Sequence, residues 1–168
     1  MNIFYLHKDP KTCAEMHCDK HVVKMIIEYA QLMSTAHRVL DGDPYEGRTA
    51  NGRRIARWKH PLENHEKLLY KASHINHPSN IWVRESQNHY NWLYQMWEQL
   101  CYEYTNRYGK VHMTDLKLRG ILASPPMQID VKTFVDPYLA MPDDVKQDNV
   151  VEAYSCLLYT SDAADDDH

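Results

Sequence analysis

In the N-terminal third of the chain, apolar side chains recur at steps of three and four residues. Val22 or Val23, Ile26 or Ile27, Ala30 and Met33 fall on one line, the spacing of a helix that lays one side on a core. His17, His21, Lys24, Glu28, Gln31 and Thr35 follow the same steps on the other side, so they predict one polar stripe. Thr12 with Glu15 three residues later reads as a capping box, and Gly42 before Asp43-Pro44 as a stop, which predicts a helix over about 13–40.

A second pattern begins at Ser79 or Asn80, either of which can cap, and ends at Gly109. Its inward positions are Trp82, Ser86, His89, Tyr90, Leu93, Trp97, Leu100, Cys101 and Tyr104, and aromatics at helical spacing point to packing first. Residues 2–6 alternate weakly, as a short strand or an extended arm would. Residues 41–51 read as a surface loop of Gly, Asp, Pro and Thr, and 61–73 as a short helix burying Leu62, Leu68, Leu69 and Ala72. A turn follows at 74–79, then a short helix over 115–122 closed by Pro125-Pro126. Residues 127–148 are expected to wrap the surface without regular structure, and 149–155 to add a last helical turn. The prediction is a mainly α fold: a single domain, residues 1–155, on two long antiparallel helices with several short helices and long loops.

Composition agrees, with 12 Tyr and only 5 Gly in 168 residues. No apolar run reaches membrane-spanning length, and the start Met1-Asn2-Ile3-Phe4 is not that of a signal peptide, so a soluble cytoplasmic protein is expected. Residues 156–168 resemble a translated sequencing-library adapter and are expected to be a non-native tail, with the natural gene cut near Ser155. The tail holds Asp162, Asp165, Asp166 and Asp167 and no basic residue, so the net charge of -4 would become zero without it. Cys13, Cys18 and Cys101 would remain, an odd set without a disulfide framework.

Charge concentrates in one place. Arg48, Arg53, Arg54, Arg57 and Lys59 lie within 48–60, a stretch with no acid, which suits either phosphate contacts or a solvated basic loop. Three chemistries are open. Cys13, His17 and His21 at i, i+4 and i+8, with Cys18, His74 and His77 available, could hold a metal, although no second cysteine pair or HExxH motif is present. Cys18 beside His17 and Lys20 could be an activated thiol. Glu28 with Lys24 one turn before it could be a proton donor or electrostatic stabiliser, or simply an exposed ion pair.

The run Lys20-His21-Val22-Val23-Lys24-Met25-Ile26-Ile27-Glu28-Tyr29-Ala30-Gln31-Leu32-Met33 resembles the pattern Lys-Arg-Leu-x-Lys-Gln-x-x-Glu-x-x-Gln-Ile-Leu of the pyrimidine-dimer DNA glycosylase family, endonuclease V type. Asn76-His77-Pro78, Trp82, Tyr90 and Cys101-Tyr102-Glu103 resemble a second segment of that family. The resemblance implies a helical glycosylase and AP lyase acting on damaged, pyrimidine-dimer-like double-stranded DNA, working as a monomer without a cofactor or metal, in a phage-infected bacterial host. It implies an N-terminal amine as nucleophile, on Met1 or on Asn2, assisted by Glu28, with His21 shaping the active site. Lys20, Lys24, Gln31, Asn76 and His77 become DNA-facing candidates. His21 stands where many relatives carry Arg, and Ile26 and Ile27 where relatives carry basic residues, so phosphate contacts are expected from Arg53, Arg54 and Arg57. Two alternatives remain: a non-enzymatic nucleic-acid-binding or phage accessory protein on the same scaffold, and a metal-dependent hydrolase using His17 and His21.

Overall fold

In the computed structural model, residues 2–138 are described; the helical turn expected at 149–155 and the tail at 156–168 lie outside them. Six helices and one hairpin follow in order: α1 (Pro10–Glu15), α2 (Asp19–Asp41), β1 (Asp43–Arg48), β2 (Arg54–Lys59), α3 (Glu63–Leu68), α4 (Pro78–Glu85), α5 (Gln87–Tyr108) and α6 (Met113–Leu122). The fold is mainly α, as its periodicity predicts. α2 and α5 run antiparallel: Arg107 near the end of α5 pairs with Asp19 at the start of α2, Trp97 Nε1 donates to the Ile26 carbonyl, and His37 meets the Tyr90 hydroxyl.

The choice between adjacent apolar positions on α2 is settled by burial: Val22 and Ile26 are fully buried, whereas Val23 and Ile27 are exposed. All nine inward positions of the second pattern are buried as well, with Trp82, Trp97, Tyr29 and Tyr90 among the largest side chains of the core. The chain start is part of that core. Residues Ile3, Phe4, Tyr5 and Leu6 are all buried, and burying them against α2 and α5 fixes this extended arm in place.

The first predicted helix is in fact two. Asp9, not Thr12, is the cap of α1, its carboxylate accepting the Thr12 amide at 2.9 Å, with Pro10 in the first helical position. The chain then breaks at Met16–Cys18 because side chains occupy the carbonyls that would continue the helix. His17 Nδ1 bonds the Cys13 carbonyl at 2.8 Å, and Arg107 donates to the carbonyls of His17 and Glu15. The second predicted helix also breaks, at Ser86, whose backbone is extended (φ -151°, ψ 139°). Its Oγ accepts the amides of Asn88 and Lys132 and donates to the Lys132 carbonyl, so the break is the anchor for the surface-wrapping segment after α6. That segment has no helix or strand from 124 to 138, in line with expectation.

Within the loop expected at 41–51, Asp43–Arg48 is a strand and 49–51 form the turn that follows it. β1 pairs antiparallel with β2 from Asp43↔Lys59 to Arg48↔Arg54, and Gly52 takes the left-handed conformation (φ 79°) in the connecting turn, where a side chain would be strained. α3 is shorter than predicted and buries none of its own residues; Leu62 is exposed, while Leu69 and Ala72 beyond it are buried.

Arg38 joins these parts. Only 4% exposed, its guanidinium donates to the carbonyls of Tyr70, Trp58, Glu66 and Leu69 and to both Glu66 carboxylate oxygens. One planar fork thereby holds β2, α3 and the segment after it to α2. Burial would raise the Glu66 pKa, but the His60 amide and the Arg38 guanidinium outweigh it and hold the carboxyl below its ordinary range.

Candidate functional site

The polar stripe of α2 is real only in its middle. His17 has left the helix and is buried, His21 and Thr35 are buried, Lys24 is exposed, and Glu28 and Gln31 are half-buried between them. Lys24 Nζ lies 3.9 Å from Glu28 Oε1, with the Lys24 side chain 65% exposed and that of Glu28 22%. A pair this long and wet contributes a fraction of a kcal/mol, about 0.5, so Glu28 is not committed to a structural partner.

Two other segments converge on this face. The first is the N-terminal arm: the Phe4 ring stacks on His21 with centroids 4.9 Å apart, and the Phe4 amide donates to the Tyr29 hydroxyl at 3.1 Å. His21 is thus packed beneath the arm, where it orients Phe4 and does not open onto solvent. Asn2 lies two residues upstream, half-buried, with its side-chain oxygen buried and without a hydrogen-bond partner.

The second is the turn before α4. The Ser73 amide donates to Thr35 Oγ1 at 3.3 Å. His74 holds a positive φ of 50°, a conformation that costs a residue with a Cβ about 1–2 kcal/mol, and it is the one non-glycine of this kind among the described residues. Asn80 Nδ2 pins it by donating to the carbonyls of Ser73 and His74 at 3.0 and 2.8 Å. The α4 cap is His77 itself, its Nδ1 accepting the Ser79 amide at 3.1 Å, with Pro78 first in the helix; Ser79 and Asn80, the predicted caps, are inside. The Asn-His-Pro element is therefore a rigid, strained turn of the sort often found at functional sites. Burial, with the neighbouring His74, lowers the His77 pKa, so its imidazole is held neutral at pH 7. Asn76 is exposed.

Arg84 is a further candidate that neither the charge clusters nor the resemblance singles out. It sits on α4 two turns beyond His77, half-buried, with Nη1 buried and unpartnered, an arrangement suited to an anion. Its spacing from His77 and Asn80 was the available signal.

The basic stretch is the β-hairpin. Arg53 and Arg54 are exposed at its tip end. Arg48 and Arg54 face each other across the strands, an unfavourable like-charge pair that Glu46 moderates at 3.9 and 3.2 Å. Arg57 differs: it is half-buried and donates to the Ala72 carbonyl, so it braces the hairpin base and is not a free cation. Lys20 is exposed at the start of α2.

The proposed metal and thiol sets of the first helix are built into packing. Cys13 Sγ donates to the Phe4 carbonyl at 3.1 Å, and burial pushes its thiol up to about 11. His17 Nε2 bonds the Tyr29 hydroxyl at 2.8 Å; its other nitrogen holds Cys13. His74 and His77 belong to the turn before α4. Burial drives the His17 imidazole down to about 4, well below the ordinary 6.5. Since the unfolded chain then binds the extra proton first, stability is full above about pH 6.5 and falls progressively as pH drops towards 4, by up to about 3 kcal/mol. Urea midpoints measured across that window should show the decline, and His17→Gln, lacking the titrating ring, should remove the part His17 contributes while leaving that of His37, which burial also drives down to about 4.

Residues 1–117 match the family described as pyrimidine dimer DNA glycosylase. The chain belongs to that family, which makes it a DNA-repair protein of the glycosylase type with DNA as its substrate. No curated protein and no solved structure matches the chain. Among the described residues no helix is long and apolar enough to cross a membrane.

Proposed function

We propose that the protein is a glycosylase and AP lyase for pyrimidine-dimer-like lesions in double-stranded DNA, with the N-terminal amine as nucleophile and Glu28 as its carboxylate partner. The observation that carries this reading is the convergence on α2. Glu28 lies seven residues from His21, which fixes the N-terminal arm, and seven from Thr35, which fixes the turn before α4, about 10 Å along the helix either way.

The chemistry follows. A neutral amine attacks the sugar C1′ of a damaged nucleotide and the C1′–N bond to the base breaks, the base leaving with a proton; the amine then gives up its remaining proton as the C1′–O4′ bond opens, the ring oxygen leaving as a hydroxyl, and an imine forms. A carboxylate beside the reacting carbon stabilises the oxocarbenium charge that develops as that bond breaks. Loss of a proton from C2′ then lets the 3′ phosphate leave, nicking the strand. Access to the lesion calls for a nucleotide to be turned out of the duplex. Arg53, Arg54, Lys20 and Lys24 serve as phosphate contacts, Arg84 on α4 as a further one, and Asn76 and Gln31 as polar contacts at the rim.

The basic hairpin gives a direct test. Binding to a lesion-bearing duplex should weaken as salt rises, and the double variant Arg53→Ala/Arg54→Ala should bind more weakly and reduce the slope of log K against log salt by about 2, one for each phosphate that is no longer neutralised. An unchanged slope would remove the hairpin from the interface. The non-enzymatic alternative predicts the same salt dependence with no nicking of the duplex.

A further inference from the structure

We infer that the Tyr29 hydroxyl is a positioning group for the reaction: it fixes the N-terminal arm, and with it the amine, against the helix that carries Glu28. The inference rests on the reading of the chain's amine as nucleophile. Tyr29 follows Glu28 directly on α2 and is fully buried, so it can act only through the residues it holds.

The arm is held by a closed ring of hydrogen bonds. The Phe4 amide donates to the Tyr29 hydroxyl oxygen at 3.1 Å. The Cys13 carbonyl can only accept, so His17 Nδ1, 2.8 Å from it, carries the imidazole proton. Burial keeps that imidazole neutral at pH 7, which leaves Nε2 a lone pair to accept the Tyr29 O–H at 2.8 Å. Cys13 Sγ closes the ring by donating to the Phe4 carbonyl at 3.1 Å. The arm, α1, the break after it and α2 are thus joined through Phe4, Cys13, His17 and Tyr29, of which Phe4 is 8% exposed and the others 2% or less.

Packing alone does not account for the hydroxyl. A phenylalanine at 29 would fill nearly the same volume, and burial of Ile3, Phe4, Tyr5 and Leu6 would still hold the arm on the core. What the hydroxyl adds is direction. A hydrogen bond is made only within a few tenths of an ångström in distance and a limited range of angle, and a satisfied buried network specifies one arrangement of the groups in it. Phe4 is where such direction matters. Asn2 is two residues upstream and Met1 three, so the amine lies within about 7 Å or about 10 Å of the anchored amide. Attack on C1′ requires the reacting atoms about 3–3.5 Å apart, and a misplacement of about 1 Å is enough to cost about 10²-fold in rate.

The experiment compares Tyr29→Phe with Tyr90→Phe in the full chain. Tyr90 is the matched control: it is also fully buried and its hydroxyl also bonds a histidine, His37, at 2.8 Å, but it joins α5 to α2 and to the end of α6, not to the arm. Single-turnover borohydride trapping on a duplex with an abasic site, at saturating protein, reads attack by the amine. Titration of a duplex carrying the tetrahydrofuran analogue, which cannot form an imine, reads binding. Tyr29→Phe should trap at least about tenfold more slowly than wild type with a dissociation constant within about twofold, while Tyr90→Phe traps at the wild-type rate. Trapping by Tyr29→Phe at the wild-type rate, or equal slowing in both variants, overturns the positioning role and leaves the amine as nucleophile. A wild-type protein that gives no adduct removes the nucleophile and the positioning role together.

Discussion

Replacing Glu28 by Gln should lower the rate of strand nicking at a lesion by about 10²- to 10⁴-fold while leaving the fold intact. The two halves of this expectation have different origins. The kinetic half rests on the proposed role of the carboxylate beside a developing positive charge, where an amide of the same shape supplies dipole but no charge. The structural half rests on the surroundings of Glu28: it is half-buried on the middle of α2, and its ion pair is a 3.9 Å contact to an exposed lysine. Loss of such a pair changes stability by less than about 1 kcal/mol. Single-turnover nicking together with urea unfolding of the same preparations separates the two. A variant that nicks at the wild-type rate would take Glu28 out of the chemistry. One that unfolds several kcal/mol earlier would mean the residue is structural.

The largest effect on stability should come from Arg38. Arg38→Met leaves the Glu66 carboxylate without its cation and strips donors from the carbonyls of Tyr70, Trp58 and Leu69. Glu66 keeps 32% of its side chain exposed, so most of the cost comes from the buried carbonyls left unpaired, about 3–5 kcal/mol in all, equivalent to about 6–20 °C in melting temperature for a domain of this size. Arg38→Lys keeps the charge but not the planar fork, so it should recover only part of the loss. Because Arg38 joins the hairpin and α3 to α2, its removal should also release the hairpin, visible as faster amide exchange from Tyr45 to Trp58 than in the core of α5. A melting temperature within a degree or two of wild type would show that the hairpin and α3 dock without this residue.

The parts of the fold legible in the sequence are those set by local periodicity. Val22, Ile26, Ala30 and Met33 on α2, and Trp82 through Tyr104 on α4 and α5, are buried as their spacing requires. The breaks were not legible, because their causes are remote. A helix from Thr12 onward is locally sound; what stops it is Arg107, some ninety residues away, taking the carbonyls of Glu15 and His17. Ser86 likewise looks like an inward helical position until Lys132 is brought against it. The hairpin is a different kind of miss. Asn51-Gly52 is a strong turn signal, but Asp43-Pro44 and Gly47 in the flanking strand argue against a strand on propensity. Glu46 and the pairing with β2 outweigh that.

The candidate site divides along the same line. Glu28 and Lys24 sit where helical spacing puts them, and the resemblance identified the turn at Asn76-His77-Pro78 as a unit. That His77 is a helix cap, that Arg57 braces a carbonyl, and that His21 is covered by Phe4 all depend on contacts between distant segments.

The central claim is that the amine at the start of the chain is the nucleophile. Borohydride added during reaction with a duplex carrying a cyclobutane dimer or an abasic site would reduce an imine to a stable secondary amine. The account predicts a covalent protein–DNA adduct that maps to the N-terminal peptide and disappears when the N-terminus is blocked by acetylation. An adduct on an internal lysine, or nicking without any adduct, would contradict it.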